Sequence, residues 1–420
     1  MIDIQKAAAE TLCGVLGGRS LATLSSANGP LRLRGWARAT YLDITYGALR
    51  HLGELRACLA LLLRQPLPQN IVECLLVVAL YQLRYTRAAP HAVVDQAVNC
   101  AGAVGAGRAG GLVNAVLRNF LRRADDIVAR ARATDEGRYS HPAWWVDKLR
   151  AQHPLAWAQV LEAGNRHPPF TLRVRTGCIP VGRYLDQLEA AGVEARQTGP
   201  SAVTLARPLP VAEVPGFADG LVSVQDAGAQ LAAPLLEAQD GMRVLDACAA
   251  PGGKASHILE LARVRLLALD CDDVRLRRVE ENLDRLSLAA DLVVGDAAAP
   301  ETWWDGVPFE RILADVPCSA SGVVRRHPDV KWLRRATDLA GFAAQQARLL
   351  DALWHTLGRG GKLLYATCSV FREENQDQAD GFVGRHRDAR RLAIAALPDD
   401  GVLLPNRNHD GFFYALFEKG

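Results

Sequence analysis

The sequence predicts a multidomain chain with an all-helical first third, a small α/β (α+β) middle piece, and an α/β last third on a mostly parallel sheet. Two observations carry this. Up to about Ala131 there are no convincing β-runs, while apolar residues recur at helical spacing, as in Ile71, Leu75, Leu76 and Ala79 or Leu112, Val113, Val116, Leu117 and Phe120. From Met242 onward, short apolar runs alternate with longer helical patterns, the signature of βαβ units.

The helical third would show Arg118, Arg122 and Arg123 on one face, where they could meet phosphate, although such charges usually form a solvated face. The polar stretch Arg132 to His141 reads as a linker. In the middle piece, strands are expected at Phe170–Val174 and Ala202–Leu205, with a helix over residues 181–191. The domain boundaries that follow are 1–135, 136–235 and 236–420.

Composition excludes several classes. With 420 residues, 49% hydrophobic and 23% charged, the chain can bury sizeable cores and is neither disordered nor fibrous. The start of the chain carries Asp3, Lys6 and Glu10 and does not resemble a secretion signal. The longest apolar run, Ile71 to Leu83, is interrupted by Glu73 and Gln82 and is too short for a bilayer, so no membrane span is expected. The nine cysteines include no CxxC pair, which argues against a zinc site or a disulfide framework, and no metal is expected. Free thiols in a reducing, cytoplasmic setting remain. The net charge is only +3, carried mostly by arginine, which suits phosphate and stacked bases but equally reflects a biased genome.

The strand ends of the last third are informative. Met242–Leu245 runs into Asp246, Leu266–Leu269 into Asp270, Leu292–Val294 into Gly295 and Asp296, Arg311–Ala314 into Asp315, and Lys362–Ala366 into Thr367, Cys368 and Ser369. In a doubly wound sheet such ends meet at one ligand crevice. The first loop, Cys248, Ala249, Ala250, Pro251, Gly252, Gly253 and Lys254, leads into a helix over residues 255–261, so small residues admit a ligand to backbone and free N–H groups. It is neither GxGxxG nor a P-loop, which weakens NAD and ATP as ligands. Asp270 follows Asp246 by 24 positions, where an acidic side chain commonly accepts a ribose hydroxyl, pointing to a nucleoside-containing cofactor. A tight turn packed for structural reasons would account for the loop alone equally well.

Two cysteines, in Asp315-Val316-Pro317-Cys318 and Thr367-Cys368-Ser369, should face the same crevice, whereas Cys13, Cys58, Cys74 and Cys100 read as small buried hydrophobes. A cytosine ring explains the need for thiols. Its C5 is a poor nucleophile until a soft nucleophile adds to C6, and a thiolate can do so. A carboxyl such as Asp315 could hydrogen-bond the N3 and N4 edge, and a second thiol could take the C5 proton when the adduct resolves. These residues leave open which cysteine attacks.

At these positions the chain resembles the Sun/Fmu type of RNA cytosine-5 methyltransferases, over nearly its whole length. The resemblance implies a C-terminal Rossmann-like class I methyltransferase domain that binds S-adenosylmethionine through Cys248 to Lys254, with Asp270, Asp296 and Asp315 as further cofactor-contacting positions. It makes Cys368 the nucleophile and Cys318 the release residue. Tyr81-Gln82-Leu83, Pro90-His91 and Gly111 to Arg118 are similar to the antitermination factor NusB, implying an RNA-binding helical domain, while Ser223 to Asp226 resembles the usual entry to the catalytic core. The implied substrate is small-subunit ribosomal RNA before assembly is complete, with no DNA partner and with the target base out of any stack.

Other residues invite a role. His327, Pro328, Asp329 and Trp332 could line an RNA channel or simply pack on the core. Lys254 approaches cofactor or substrate, or is only solvated. Arg275 is taken as a cofactor-binding candidate, although ion pairing with Asp272 or Glu281 competes. Two other classes stay in view: a methyltransferase for DNA or for N or O atoms, which seldom needs two strand-end cysteines, and a non-catalytic RNA-binding assembly factor, against which the intact loop and both thiols count.

Overall fold

The computed structural model describes residues 2–25, 33–65, 67 and 70–420, and places them in two compact units, Met1–His167 with Val324–Ala336, and Pro168–Val323 with Thr337–Gly420. Among the described residues, no helix is long and apolar enough to cross a membrane.

The first unit is helical, as its periodicity predicts, with helices that include Ile2–Leu16, Gly35–Arg50, Leu52–Leu62, Asn70–Tyr85, Pro90–Ala103 and Gly110–Ala131. The apolar run at 71–83 lies inside Asn70–Tyr85, whose residues from Cys74 to Gln82 are all buried. Gly47 lets that helix approach closely, since a Cβ there would sit 1.9 Å from the Tyr81 ring. Arg118, Arg122 and Arg123 are exposed, and Arg118 and Arg123 bond Asn114 and Asp126 on their own helix, which fits a solvated face.

The stretch read as a linker is folded. Asp135–Tyr139 is a short helix capped by Thr134, Tyr139 is buried, and Arg132 bonds the buried Glu54. Sequence polarity misled here because the charged side chains stay exposed while Tyr139, Ser140 and His141, which follow them, are buried, and Arg132 and Asp135 find partners in Glu54 and Arg150. Residues 136–167 pack with the helical unit. So does the segment after the Cys318 loop. Asp329 accepts the Leu21 amide at 2.9 Å, and Trp332 donates to the Leu49 carbonyl at 2.8 Å. The buried Lys331 reaches the carbonyls of Arg50 and Ser140 and Oδ1 of Asn165, three acceptors for the three donors of an ammonium. For Asp329 and Trp332, packing rather than an RNA channel is what the structure shows.

The second unit contains two sheets. Strands β1 (Phe170–Val174), β2 (Ala195–Gln197), β3 (Ala202–Leu205) and β4 (Val222–Val224) form an antiparallel sheet in the order β2-β3-β1-β4. Helix Val181–Ala190 covers it, burying Tyr184 and Leu188 against Leu172 and Val203.

The larger sheet holds β5 (Arg243–Ala247), β6 (Arg265–Asp270), β7 (Asp291–Val294), β8 (Phe309–Asp315), β9 (Leu357–Thr367), β10 (Ala389–Leu392), β11 (Val402–Leu403) and β12 (Phe412–Lys419). Its order is β10-β12-β9-β8-β5-β6-β7, and β5 to β9 pair in parallel as predicted. β12, unforeseen because its continuous apolar run lacks a βαβ setting, joins the sheet antiparallel to β9, with β10 beyond it at the edge. The chain moves outward from β5 to β7 and then returns to β8 beside β5. The order therefore reverses between β5 and β8, the switch point where open α/β sheets bind ligands.

Candidate active site

β5 and β8 set Asp246 and Asp315 on neighbouring strands at that switch point, and β8 pairs with β9 so that Asp315 stands opposite Ala366, two residues before Cys368. Beyond β5 the chain turns through Cys248 at φ 63° and reaches Gly252 at φ 93°, where a Cβ would come within 3.0 Å of the Val279 backbone. Only glycine takes that conformation in that space without strain. Helix Gly253–Leu261 then begins, two residues earlier than expected, and carries Lys254 into the crevice.

Lys254 is not merely solvated. Its ammonium is ion-paired with Asp315, and although burial works against the charge, Asp315 holds the lysine's proton affinity above the ordinary value. Asp246 is fully buried, and among the described residues neither of its carboxylate oxygens has a hydrogen bond of full geometry. Burial, reinforced by the Asp315 charge, pushes Asp246 up to about 8, and Lys254 and the Ala255 amide offset this only in part. Burial and the surrounding Asp315, Asp270 and Asp246 also push the Cys248 thiol above its usual range.

Asp270 is buried at the end of β6 and accepts the amides of Ala250 and Asp272 at 3.0 and 3.1 Å. Arg275 donates to the Ala250 carbonyl at 3.0 Å and lies 3.7 Å from Asp270, so its guanidinium braces the loop and pairs with neither Asp272 nor Glu281 through its side chain. Asp296 is exposed beyond β7 and accepts the Ala298 amide.

The two cysteines meet. Sγ of Cys318 lies 3.3 Å from Sγ of Cys368, and both side chains are half-buried. Contact with Cys368, then burial, raises the Cys318 thiol well above its ordinary value, because two adjacent thiolates repel. Backbone ties the loops together: the Gly322 amide donates to the Cys368 carbonyl at 2.8 Å, and the Gly411 amide to the Gly322 carbonyl at 2.9 Å.

Several residues were missed by sequence reasoning. Arg173 of β1, with a fully buried side chain, donates to Gly253 O, Ser256 Oγ, Gln225 Oε1 and both oxygens of Glu260, fastening the smaller sheet to the Lys254 helix. Glu374 accepts from the Ser319 amide and the Ser369 hydroxyl, and Asn375 bonds Thr367 and the Ser369 carbonyl. An acidic residue soon after Thr367-Cys368-Ser369 was the only available signal.

Comparison with known proteins decides the family. The chain is 43% identical to "Ribosomal RNA small subunit methyltransferase B" of Vibrio cholerae over 427 residues, covering 100% of this chain and 98% of that protein. The chain belongs to the ribosomal RNA small subunit methyltransferase B family. A protein of the same description from Pseudomonas syringae is 43% identical, with 98% of this chain and 96% of that one covered. Residues 233–418 match the family described as 16S rRNA methyltransferase RsmB/F, residues 141–212 its ferredoxin-like domain, and residues 3–122 the NusB family. Among solved structures, "Crystal Structure of PH0851" covers 100% of the chain and 99% of its own at TM-score 0.80 and 22% identity, a likeness of fold. NSun6 from Pyrococcus horikoshii with SFG covers 66% and 98% at TM-score 0.60 and 20% identity.

S-adenosylmethionine is the methyl donor of this methyltransferase family, and the crevice fits it. The cofactor brings a sulfonium and an ammonium, and the acidic side chains gathered here, among them the buried and poorly partnered Asp246, are groups that would suit them.

Proposed function

We propose that this protein methylates carbon 5 of a cytosine in small-subunit ribosomal RNA, in the cytoplasm and before subunit assembly is complete, with Cys368 as covalent nucleophile. One observation carries the reading: two thiols 3.3 Å apart at the carboxyl edge of the sheet, beside an ion-paired lysine and aspartate. Few methyl transfers need two thiols; a cytosine C5 needs one to activate the ring and gains from a second to clear it.

In this reading, Cys368 adds to C6 and drives electrons toward C5 and N3. Asp315 accepts from the N4 amino group, and the Lys254 ammonium paired with it offsets the negative charge that builds toward N3. S-adenosylmethionine, when bound, supplies an electrophilic methyl carbon to the activated C5. Once the Cys368 sulfur is a thioether, its charge no longer holds the proton on Cys318, which can pass that proton to water and take the one from C5. The C6–S bond then breaks, restoring the ring and the Cys368 thiolate.

The loop from Cys248 to Lys254, with Asp270, Asp296 and Asp315, is assigned to the cofactor, and Arg275 supports that loop from Ala250. The helical unit, matched by the NusB family, is assigned RNA affinity. The test is transfer of labelled methyl to unmodified small-subunit ribosomal RNA, comparing wild type with Cys368→Ser and mapping the product by bisulfite sequencing. One protected cytosine in wild type and none with Cys368→Ser supports the proposal. Cofactor binding without transfer to that RNA removes the substrate assignment.

A further inference from the structure

The methyl donor needs a hold at both of its ends, and the end far from the thiols rests on a side chain that no step above uses. The sheet runs β9-β8-β5-β6-β7, with the two thiols in the loops after β8 and β9 and Asp270, the candidate for a ribose hydroxyl, at the end of β6. A donor whose methyl faces the thiols and whose ribose meets Asp270 therefore brings its base to the end of β7. There, past the last pair of Asp270 with Val294, the Gly295 amide donates to the Asp270 carbonyl at 3.0 Å and the chain turns through Asp296. Oδ1 of Asp296 accepts the Ala298 amide at 2.9 Å, while Oδ2 of this exposed residue accepts, among the described residues, no hydrogen bond. Trp303 braces the turn. Its indole N–H donates to the Asp296 carbonyl at 2.8 Å, and the Ala299 amide donates to the same oxygen at 2.9 Å. Gly295 leaves room for the ring, since a Cβ there would come within 3.0 Å of Trp303 Cδ1 and 3.1 Å of Leu269 Cδ1. The indole also packs on the core that includes Leu269, the residue before Asp270, so one side chain reaches the ends of both strands.

We propose that Trp303 is a positioning residue for the methyl donor: it fixes the Asp296 turn beside Asp270, so that Oδ2 of Asp296 is ordered for an amino group on the base before the donor arrives. The backbone tie from Gly295 to Asp270 sets where the turn begins, and the indole N–H sets where its carbonyl points. Without that N–H the carbonyl keeps only the Ala299 amide, and an exposed carboxylate on a loosened turn must be ordered at each binding event. That ordering is an entropic cost, and it appears in affinity. The effect belongs to binding and not to the methyl-transfer step, because the chemistry takes place at the other end of the crevice, and a contact felt equally before and during reaction raises KM with kcat unchanged.

The inference rests on the assignment of Asp270 and Asp296 to the cofactor, and its first test uses no RNA. Titration calorimetry with S-adenosylhomocysteine, the product that transfer leaves behind, would compare wild type, Trp303→Phe, Asp296→Asn and the double variant. Phenylalanine keeps an aromatic ring and removes the N–H. Trp303→Phe should weaken binding about fivefold, the worth of one neutral hydrogen bond. Asp296→Asn should weaken it at least as much, and adding Trp303→Phe to Asp296→Asn should then cost nothing further, because the tryptophan acts through that residue. Losses that add in the double variant would mean that Trp303 supports the crevice as a whole, and would overturn the proposal. Unchanged binding by Trp303→Phe beside weakened binding by Asp296→Asn would overturn it alone, whereas unchanged binding by Asp296→Asn would remove the Asp296 assignment and this inference with it. In methyl transfer, Trp303→Phe should raise KM for the donor and leave kcat as it was; a lower kcat at unchanged KM counts against the proposal. If Trp303→Phe does not fold, Gly295→Ala, whose Cβ would press on the indole, should weaken binding with the same dependence on Asp296. Failure of methyl transfer to any cytosine would remove the function above without altering the calorimetric results.

Discussion

Asp246→Asn should make the ligand-free protein more stable in alkali while weakening its hold on the cofactor. Asp246 is fully buried, and its pKa is raised from 3.8 to about 8. Between those values the folded chain binds more proton than the unfolded chain, so stability falls as pH rises through the window and the full cost is felt above about pH 8. The shift is worth roughly 6 kcal/mol at about 1.4 kcal/mol per unit, a ceiling because an interior can relax around a charge. Asparagine fills the same space and never ionises. Even a third of that ceiling, about 2 kcal/mol, should raise the Tm of the methyltransferase unit by roughly 4–8 °C at pH 9. At pH 4 the gap should be close to zero, since aspartic acid and asparagine are both neutral there. Calorimetric scans of both proteins across pH 4–9 isolate this one group, because every other titration is common to both. In parallel, titration calorimetry should show weaker S-adenosylmethionine binding by the variant. A Tm difference that does not change with pH, or one that favours wild type more strongly in alkali, would refute the reasoning.

Three further outcomes follow from the geometry. Cys318→Ala, incubated with RNA and cofactor, should accumulate a slow-migrating covalent protein–RNA species on a denaturing gel; loss of the adduct in that variant would instead give Cys318 the attacking role. Gly322→Ala would place a Cβ 2.3 Å from the Gly411 carbonyl oxygen and 2.9 Å from that of Cys368, so it should cost about 1–3 kcal/mol and separate the cysteine loops, seen as a lower Tm with lost methyl transfer. Arg173→Met would leave the buried Glu260 carboxylate without its cation and release the carbonyl of Gly253, for a loss of roughly 3–5 kcal/mol and a higher KM for the cofactor, checked by denaturant melts and initial rates.

Much was legible in the sequence. Periodicity is a local property, so the helical first third, the strands Phe170–Val174 and Ala202–Leu205, and five strands of the larger sheet could be read from spacing. The convergence of Asp246, Asp270, Asp315, Cys318 and Cys368 followed as well, because a parallel sheet delivers its strand ends to one edge whatever lies between them. Polarity was the poorer guide. Residues 132–141 look like a linker because charge is visible in a sequence and its partner is not: Glu54, the acceptor for Arg132, is 78 positions away.

What the sequence determined by itself was the inventory of the site, since residue types at strand ends are fixed by local pattern and chain order. Only the tertiary structure decided what each group experiences. Lys254 became the partner of Asp315 rather than a solvated helix start, Asp246 became a carboxylate buried with little to satisfy it, and Glu374 and Arg173 became braces of loops far from them in sequence. Proton affinity and orientation depend on burial and on charges brought close by folding, and those distances exist only once the chain has closed around them.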